Sequence, residues 1–229
     1  QNLYDWVYLF IETTGVQGFR LDAVKHIDSF FMRNFIRDIT AKYGEDFYVF
    51  GEFWNSDETA NNDYLKNIEY RFDLVDVKLH HNFFDASIAG ADFDLRTIFD
   101  QTLVKNHPES AVTFVDNHDT QRGQALESTV EEWFKPAAYA LILLREEGLP
   151  CVFYGDYYGI SGEFAQESFQ DVLDKLLDIR LNLAYGEQTD YFDDANCIGW
   201  VRSGVEHQSP IAVLISNDQE NSKSMFVGQ

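Results

Sequence analysis

Cysteine, proline, methionine and positive charge are all scarce in this chain of 229 residues. Four prolines exclude a proline-rich linker or a collagen-like repeat. The two cysteines, Cys151 and Cys197, lie in or beside apolar runs, which suits buried thiols better than a bridge and demands no oxidising compartment. Lysine and arginine number 17 against 39 acidic residues, a formal charge of −22. So acidic a chain repels phosphate backbones and anionic headgroups, which makes nucleic acid and membrane surfaces poor partners. No apolar run approaches the ~20 residues that cross a bilayer. The first residue is Gln1, with no initiator Met or signal-peptide pattern, so the reading is of a piece cut from a longer polypeptide. Aromatics, by contrast, are plentiful: 20 Phe, 12 Tyr and 4 Trp in a chain that is 45% hydrophobic. That is ample material for a packed core.

Five runs read as short buried strands: 16–24, 46–54, 72–79, 111–117 and 150–154. Each is aromatic or β-branched and bounded by Gly, Pro, Asn or Asp. Helix-period segments alternate with them. Leu3, Val7, Phe10 and Ile11 share a face that stops near Gly15. Phe31, Phe35 and Ile39 repeat every four residues behind Asp28, a predicted N-cap, and end before Gly44. Trp133, Ala137, Ala140, Leu141 and Leu144 form a further face, and Val172, Leu176, Ile179 and Leu183 the last. This alternation predicts a parallel α/β sheet or barrel. After Gly186 the rhythm changes. The runs 197–201, 211–215 and 225–227 read as strands with no helix between them, the start of a small antiparallel domain over 187–229.

Three acids stand at the carboxyl ends of predicted strands: Asp22, Glu52 and Asp119. In a parallel β/α barrel that rim holds the active site. Arg20, two residues before Asp22, points to the same side and is placed to hold the Asp22 carboxylate. A single acid at a strand end is more often a helix cap or a loop ion pair, but three in one chain, each beside His, Arg or Trp, point to catalysis. An ionised carboxylate beside a protonated one is the equipment of retaining glycoside hydrolysis. A metal-dependent hydrolase built on Asp116, His118 and Asp119 would need further ligands that the other strand ends do not supply.

GFRLDAVKHI (18–27), VFGEFW (49–54) and VTFVDNHDT (112–120) resemble three of the four signature regions of the α-amylase family, glycoside hydrolase family 13. The segment 127–159 is similar to the bacterial liquefying-type members and their intracellular relatives. The resemblance implies a partial (β/α)₈ barrel over 1–186, strands four to eight, followed by the truncated antiparallel domain 187–229. It implies Asp22 as nucleophile, Glu52 as general acid/base and Asp119 as the residue that holds the distorted sugar. Arg20, Lys25, His26, Trp54 and His118 are implied in substrate binding. The activity implied is retaining endo-hydrolysis of α-1,4-glucosidic bonds in starch, glycogen or maltodextrin. The alternatives are an α-glucan transglycosylase and a non-catalytic carbohydrate-binding or assembly fragment. Calcium is implied for a full-length parent. The backbone carbonyl of His26 is one expected ligand, and a further site would draw on the backbone near 91–93 and on 194–196. The expected partners are an α-glucan and the N-terminal half of the barrel, with a cytoplasmic location favoured over secretion. His80, His81, His107 and His207 read as surface or loop histidines.

Overall fold

The computed structural model describes residues 2–218 and 221–228. Five parallel strands form one sheet in chain order: β1 (Gly18–Leu21), β2 (Tyr48–Gly51), β3 (Asp73–Val75), β4 (Ala111–Phe114) and β5 (Leu149–Cys151). Among the described residues eight α-helices accompany them: α1 (Asn2–Thr14), α2 (Ser29–Tyr43), α3 (Glu58–Asn67), α4 (Val77–Ala89), α5 (Leu103–Asn106), α6 (Lys135–Leu143), α7 (Tyr154–Tyr158) and α8 (Gln170–Asn182). Residues from all five strands or their carboxyl ends line a single cavity, so the sheet is curved into part of a barrel wall. Among the described residues β1 and β5 each have one neighbour, and the curve stays open.

Local chemistry explains where these elements begin and stop. Asp28 caps α2 by accepting from the Phe31 amide at 2.8 Å, and Gly44 ends the helix with φ 106°. Asp57 caps α3 in the same way. Asp76 has a stronger effect. Its Oδ1 accepts from Leu79 N at 3.0 Å and its Oδ2 from Val104 N at 2.8 Å, which starts α4 and anchors α5 from one buried carboxylate. The third predicted strand, 72–79, is therefore cut short: β3 ends at Val75, and Val77–Leu79 is already helix. The fifth is shifted too, because Tyr154 begins α7.

The core lies between the sheet and its helices, where Ile36, Ile39, Leu65, Ile68, Leu74, Leu79 and Phe83 are fully buried. All four residues of β4 are buried, as a central parallel strand requires. Trp133, assigned above to the buried face of α6, instead precedes the helix and is half exposed; its Nε1 donates to Ser87 O.

Three antiparallel strands make a second sheet: β6 (Gln188–Asp194), β7 (Cys197–Arg202) and β8 (Ile211–Ser216). The run 225–227 is not a strand. Met225 lies over Gly199, where a Cβ would come within 2.6 Å of its sulfur, and Phe226 N bonds to the Tyr191 hydroxyl rather than to a ladder. The third strand is β6, whose polar sequence hides it. Trp200 of β7 donates to Leu144 O, and Arg145 pairs with Asp190 at 2.7 Å while facing the rings of Phe99, Phe192 and Trp200. These contacts bind the second sheet to the end of α6. Both cysteines are free; Cys197 is buried as expected, whereas Cys151 is exposed on β5.

Candidate active site

Arg20 is the third residue of β1, and Asp22 follows the strand's last residue. Beyond it Ala23 turns left-handed at φ 49°, and the Asp22 side chain is 72% exposed. Arg20 Nη1 donates to Asp22 Oδ1 at 2.5 Å, and Nη2 donates to Glu52 Oε1 at 2.8 Å. One guanidinium thus spans two carboxylates, the compensating cation that two such groups need to stand together.

Glu52 is fixed more tightly. Its N–H donates to Leu21 O at 2.8 Å and its carbonyl accepts from Val24 N at 3.0 Å, which extends the parallel ladder past β2. Its Oε2 accepts from Ala23 N at 3.2 Å, and its side chain is only 10% exposed. Gly51 makes room for this: a Cβ there would lie 2.7 Å from the Phe72 ring and 3.1 Å from Val24.

The loop after β4 is organised by Asn117. Its Oδ1 accepts from Asp119 N at 2.8 Å and Thr120 N at 3.0 Å, an Asx turn. Thr120 Oγ1 in turn donates to Asp116 Oδ1 and accepts from Asn117 N, so the turn is clamped from both sides. His118 and Asp119 project from this clamp with His118 Nε2 3.3 Å from Asp119 Oδ2. Arg20, Glu52, Asp116, Asn117 and His118 line a common cavity of about 280 Å³. Asp22 and Asp119 are not part of its lining; each is tied to a residue that is, Asp22 to Arg20 and Asp119 to His118.

The remaining expected binding residues are more dispersed. Lys25 Nζ donates to Trp54 O at 2.9 Å, which ties the loops after β1 and β2. The Trp54 indole is half-buried, with the rings of His80, His81 and Phe114 about 6 Å away. His26 is exposed at the end of a 3₁₀ turn, its amide bonded to Ala23 O. Calcium takes 6–8 oxygens, and no group of three or more His, Cys, Asp or Glu side chains around His26 or elsewhere among the described residues is set to hold a metal. The residues present do not fit the ion.

Sequence reasoning missed the buried support of this loop. Lys135, 1% exposed, pairs with Asp116 at 2.8 Å and with Asp156, and the Tyr139 hydroxyl and the Gln166 amide also donate to Asp156. Burial raises Asp116 to about 6, with the Asp156 charge adding to the rise and Lys135 opposing it. The only signal was a lysine inside the otherwise apolar run of α6. His80 also departs from the surface reading. It is fully buried, its Nδ1–H donates to Val115 O at 2.7 Å, Nε2 lies 2.8 Å from Ser128 Oγ, and burial lowers its pKa to about 4. His81 is half-buried, and His207 is exposed as expected.

The sequence profile described as the alpha amylase catalytic domain matches residues 1–190. The chain is 45% identical to the glucan 1,4-alpha-maltohexaosidase of Bacillus sp. (strain 707), covering 100% of this chain and 44% of that protein. It is 45% identical to an alpha-amylase of Geobacillus stearothermophilus, 100% and 42% covered, and 40% identical to the cytoplasmic alpha-amylase of Escherichia coli (strain K12), 98% and 47% covered. The chain therefore spans less than half the length of these relatives. Among solved structures, an Anoxybacillus alpha-amylase superposes with a TM-score of 0.71 at 21% identity, over 94% of this chain and 51% of that one. An alpha-amylase from Geobacillus thermoleovorans, solved with acarbose, gives 0.70 at 24% identity, over 96% and 52%. Those two likenesses concern the fold, a partial β/α barrel followed by an antiparallel sheet. With the profile covering most of its length and relatives at 40–45% identity along all of it, the chain belongs to the alpha-amylase catalytic-domain family.

Proposed function

We propose that this chain carries the catalytic machinery for retaining hydrolysis of α-1,4-glucosidic bonds in starch, glycogen or maltodextrin. The observation that supports it most is the Arg20 guanidinium shared between the Asp22 and Glu52 carboxylates beside a cavity that also takes in His118. In retaining enzymes the two carboxyl groups stand only ~5–5.5 Å apart, and two acids on one guanidinium meet that need for closeness.

In this reading Glu52 passes its proton to the glycosidic oxygen while Asp22 attacks the anomeric carbon. The C–O bond to the leaving sugar breaks as a glycosyl ester to Asp22 forms. Water then attacks the same carbon; Glu52 takes its proton and Asp22 leaves as carboxylate. The exposed Asp22 side chain is free to reach substrate, whereas the bond from Ala23 N holds Glu52 in place. Asp119 and His118 would bind hydroxyls of the distorted ring, and Lys25, His26 and Trp54 the neighbouring sugars. No step passes through calcium. The Escherichia coli relative is named a cytoplasmic enzyme, and two free thiols accord with that setting here. A boundary between catalytic and antiparallel units near residue 186 follows the change of sheet before β6.

Reducing ends released from soluble starch by this chain test the proposal, with product analysis on maltoheptaose separating hydrolysis from transglycosylation. Glu52→Gln is expected to abolish release while oligosaccharide binding persists. Undiminished turnover in that variant would refute the assignment.

A further inference from the structure

The seam between the β/α unit and the antiparallel sheet holds an arrangement that the catalytic reading does not use. The backbone carbonyls of Gly90, Ala91 and Phe93 converge at one corner of it. Asn196 Nδ2 donates to Ala91 O at 2.6 Å and to Asn217 Oδ1 at 3.0 Å. Asn217 Nδ2 donates to Gly90 O and to Phe93 O, each at 2.8 Å. Each side-chain amide carries two protons, so all four are spent, and every one goes to a carbonyl oxygen. The orientation is fixed by the partners: turning either amide over would set its oxygen against carbonyl oxygens. Asn217 is 8% exposed, and the seam is closed further by Leu95 N bonding to Ala195 O at 2.8 Å.

The resemblance described above led to the expectation that this backbone, with 194–196, helps hold calcium. A calcium ion would need these same oxygens at 2.3–2.6 Å, with carboxylates to balance its charge. The side chains that reach the oxygens are neutral amides, and their nitrogens stand where the positive partner belongs. Asp194, the nearest acid in sequence, has its Oδ1 taken by Asn196 N at 2.8 Å. Asp94 is engaged with Arg96 and Asp193 with Lys223, while Asp92, between the Ala91 and Phe93 carbonyls, is exposed to solvent.

We propose that the amides of Asn196 and Asn217 replace a cation at this junction, so that the antiparallel sheet is fastened to the β/α unit without metal. A crosslink of three neutral hydrogen bonds, braced by a fourth between the two amides, does the work of an ion, and it does not depend on calcium concentration. The same geometry makes the pair a switch in sequence space. Changing both residues to Asp removes four donated protons, adds two charges and leaves three backbone oxygens facing them, a set of the kind calcium takes.

The test uses the full chain and calcium itself as the probe, and it does not need activity. In isotope-labelled wild type, the side-chain N–H signals of Asn196 and Asn217 are expected to stay unchanged between excess chelator and millimolar calcium. The double variant Asn196→Asp/Asn217→Asp is expected to melt below wild type in chelator. Calcium should then raise its melting temperature saturably, and by more than it raises that of wild type. Movement of either amide pair on adding calcium to wild type would overturn the proposal, as would a folded double variant that gains no calcium dependence. Should the double variant not fold in either condition, the wild-type amide signals alone decide.

Discussion

At the scale of single residues, the few buried charges have the sharpest individual consequences. Lys135 and its two carboxylates sit where a lone charge could not remain. Lys135→Met removes the cation and leaves Asp116 and Asp156 buried together. It is expected to cost about 3–5 kcal/mol in urea unfolding at neutral pH. The cost should shrink in mildly acid buffer, because a carboxyl raised to about 6 then takes up a proton and sheds its charge. For wild-type Asp116 the sign follows from its raised value. It favours the fold below its ordinary 3.8, and that contribution is lost as pH rises through about 6. His80 has the opposite sign. Burial lowers it from 6.5 to about 4, so its contribution is present above 6.5 and is lost as pH falls towards 4. The shift corresponds to something on the order of 3 kcal/mol. A His80→Gln variant should lose that acid-side slope in a stability–pH curve; an unchanged slope would contradict the assignment. These roles were not legible in the sequence. A lysine in an apolar helix and a histidine beside another histidine show no sign of their partners, which come from segments 19–48 residues away.

At the scale of elements, caps decide boundaries, and their costs should differ with burial. Asp28 caps α2 from an exposed position, so Asp28→Ala is expected to cost about 1 kcal/mol. Asp76 is fully buried and bonds two amides from separate helices. Asp76→Ala leaves both amides unpaired, and thermal melts should show a loss roughly two to three times larger. Equal losses would mean that the second bond, to Val104, contributes nothing. The strands and the helices α1, α2, α6 and α8 were readable from their apolar residues, which supply Val7 and Ile11, Phe35 and Ile39, Ala140 and Leu141, and the partly buried Leu176 and Ile179 to the core. What periodicity could not give was β3's early end, which depends on Asp76, or β6, whose residues Gln188, Thr189, Asp190 and Asp193 read as loop. The run 225–227 misled for the converse reason. Met225 packs onto Gly199, while Phe226 and Val227 are exposed, and the run joins no ladder.

At the scale of the whole molecule, the motif residues gather because parallel strands deliver their carboxyl ends to one rim. Arg20, Glu52 and His118 come from three different strands or the loops that follow them, yet line one cavity. That much was legible, since sequence order along β strands translates directly into position around a curved parallel sheet. β5 stands at an edge of this sheet with Cys151 exposed, whereas Cys197 is buried in β7, the central strand of the second sheet. A thiol reagent should therefore titrate one cysteine in the native protein and the second only after unfolding. Simultaneous reaction of both would show that β7 is not buried as described.

In the proposed function Asp22 is the group that bonds to sugar while Glu52 handles protons. The most direct measurement is intact and peptide mass spectrometry of the Glu52→Gln variant after exposure to an α-maltosyl fluoride. Fluoride leaves without an acid, and the missing base slows release of the intermediate. The predicted result is a maltosyl mass increment on the peptide that contains Asp22, absent when Asp22→Asn is added. An increment on another residue, or none under conditions where the wild-type chain turns the fluoride over, would contradict it.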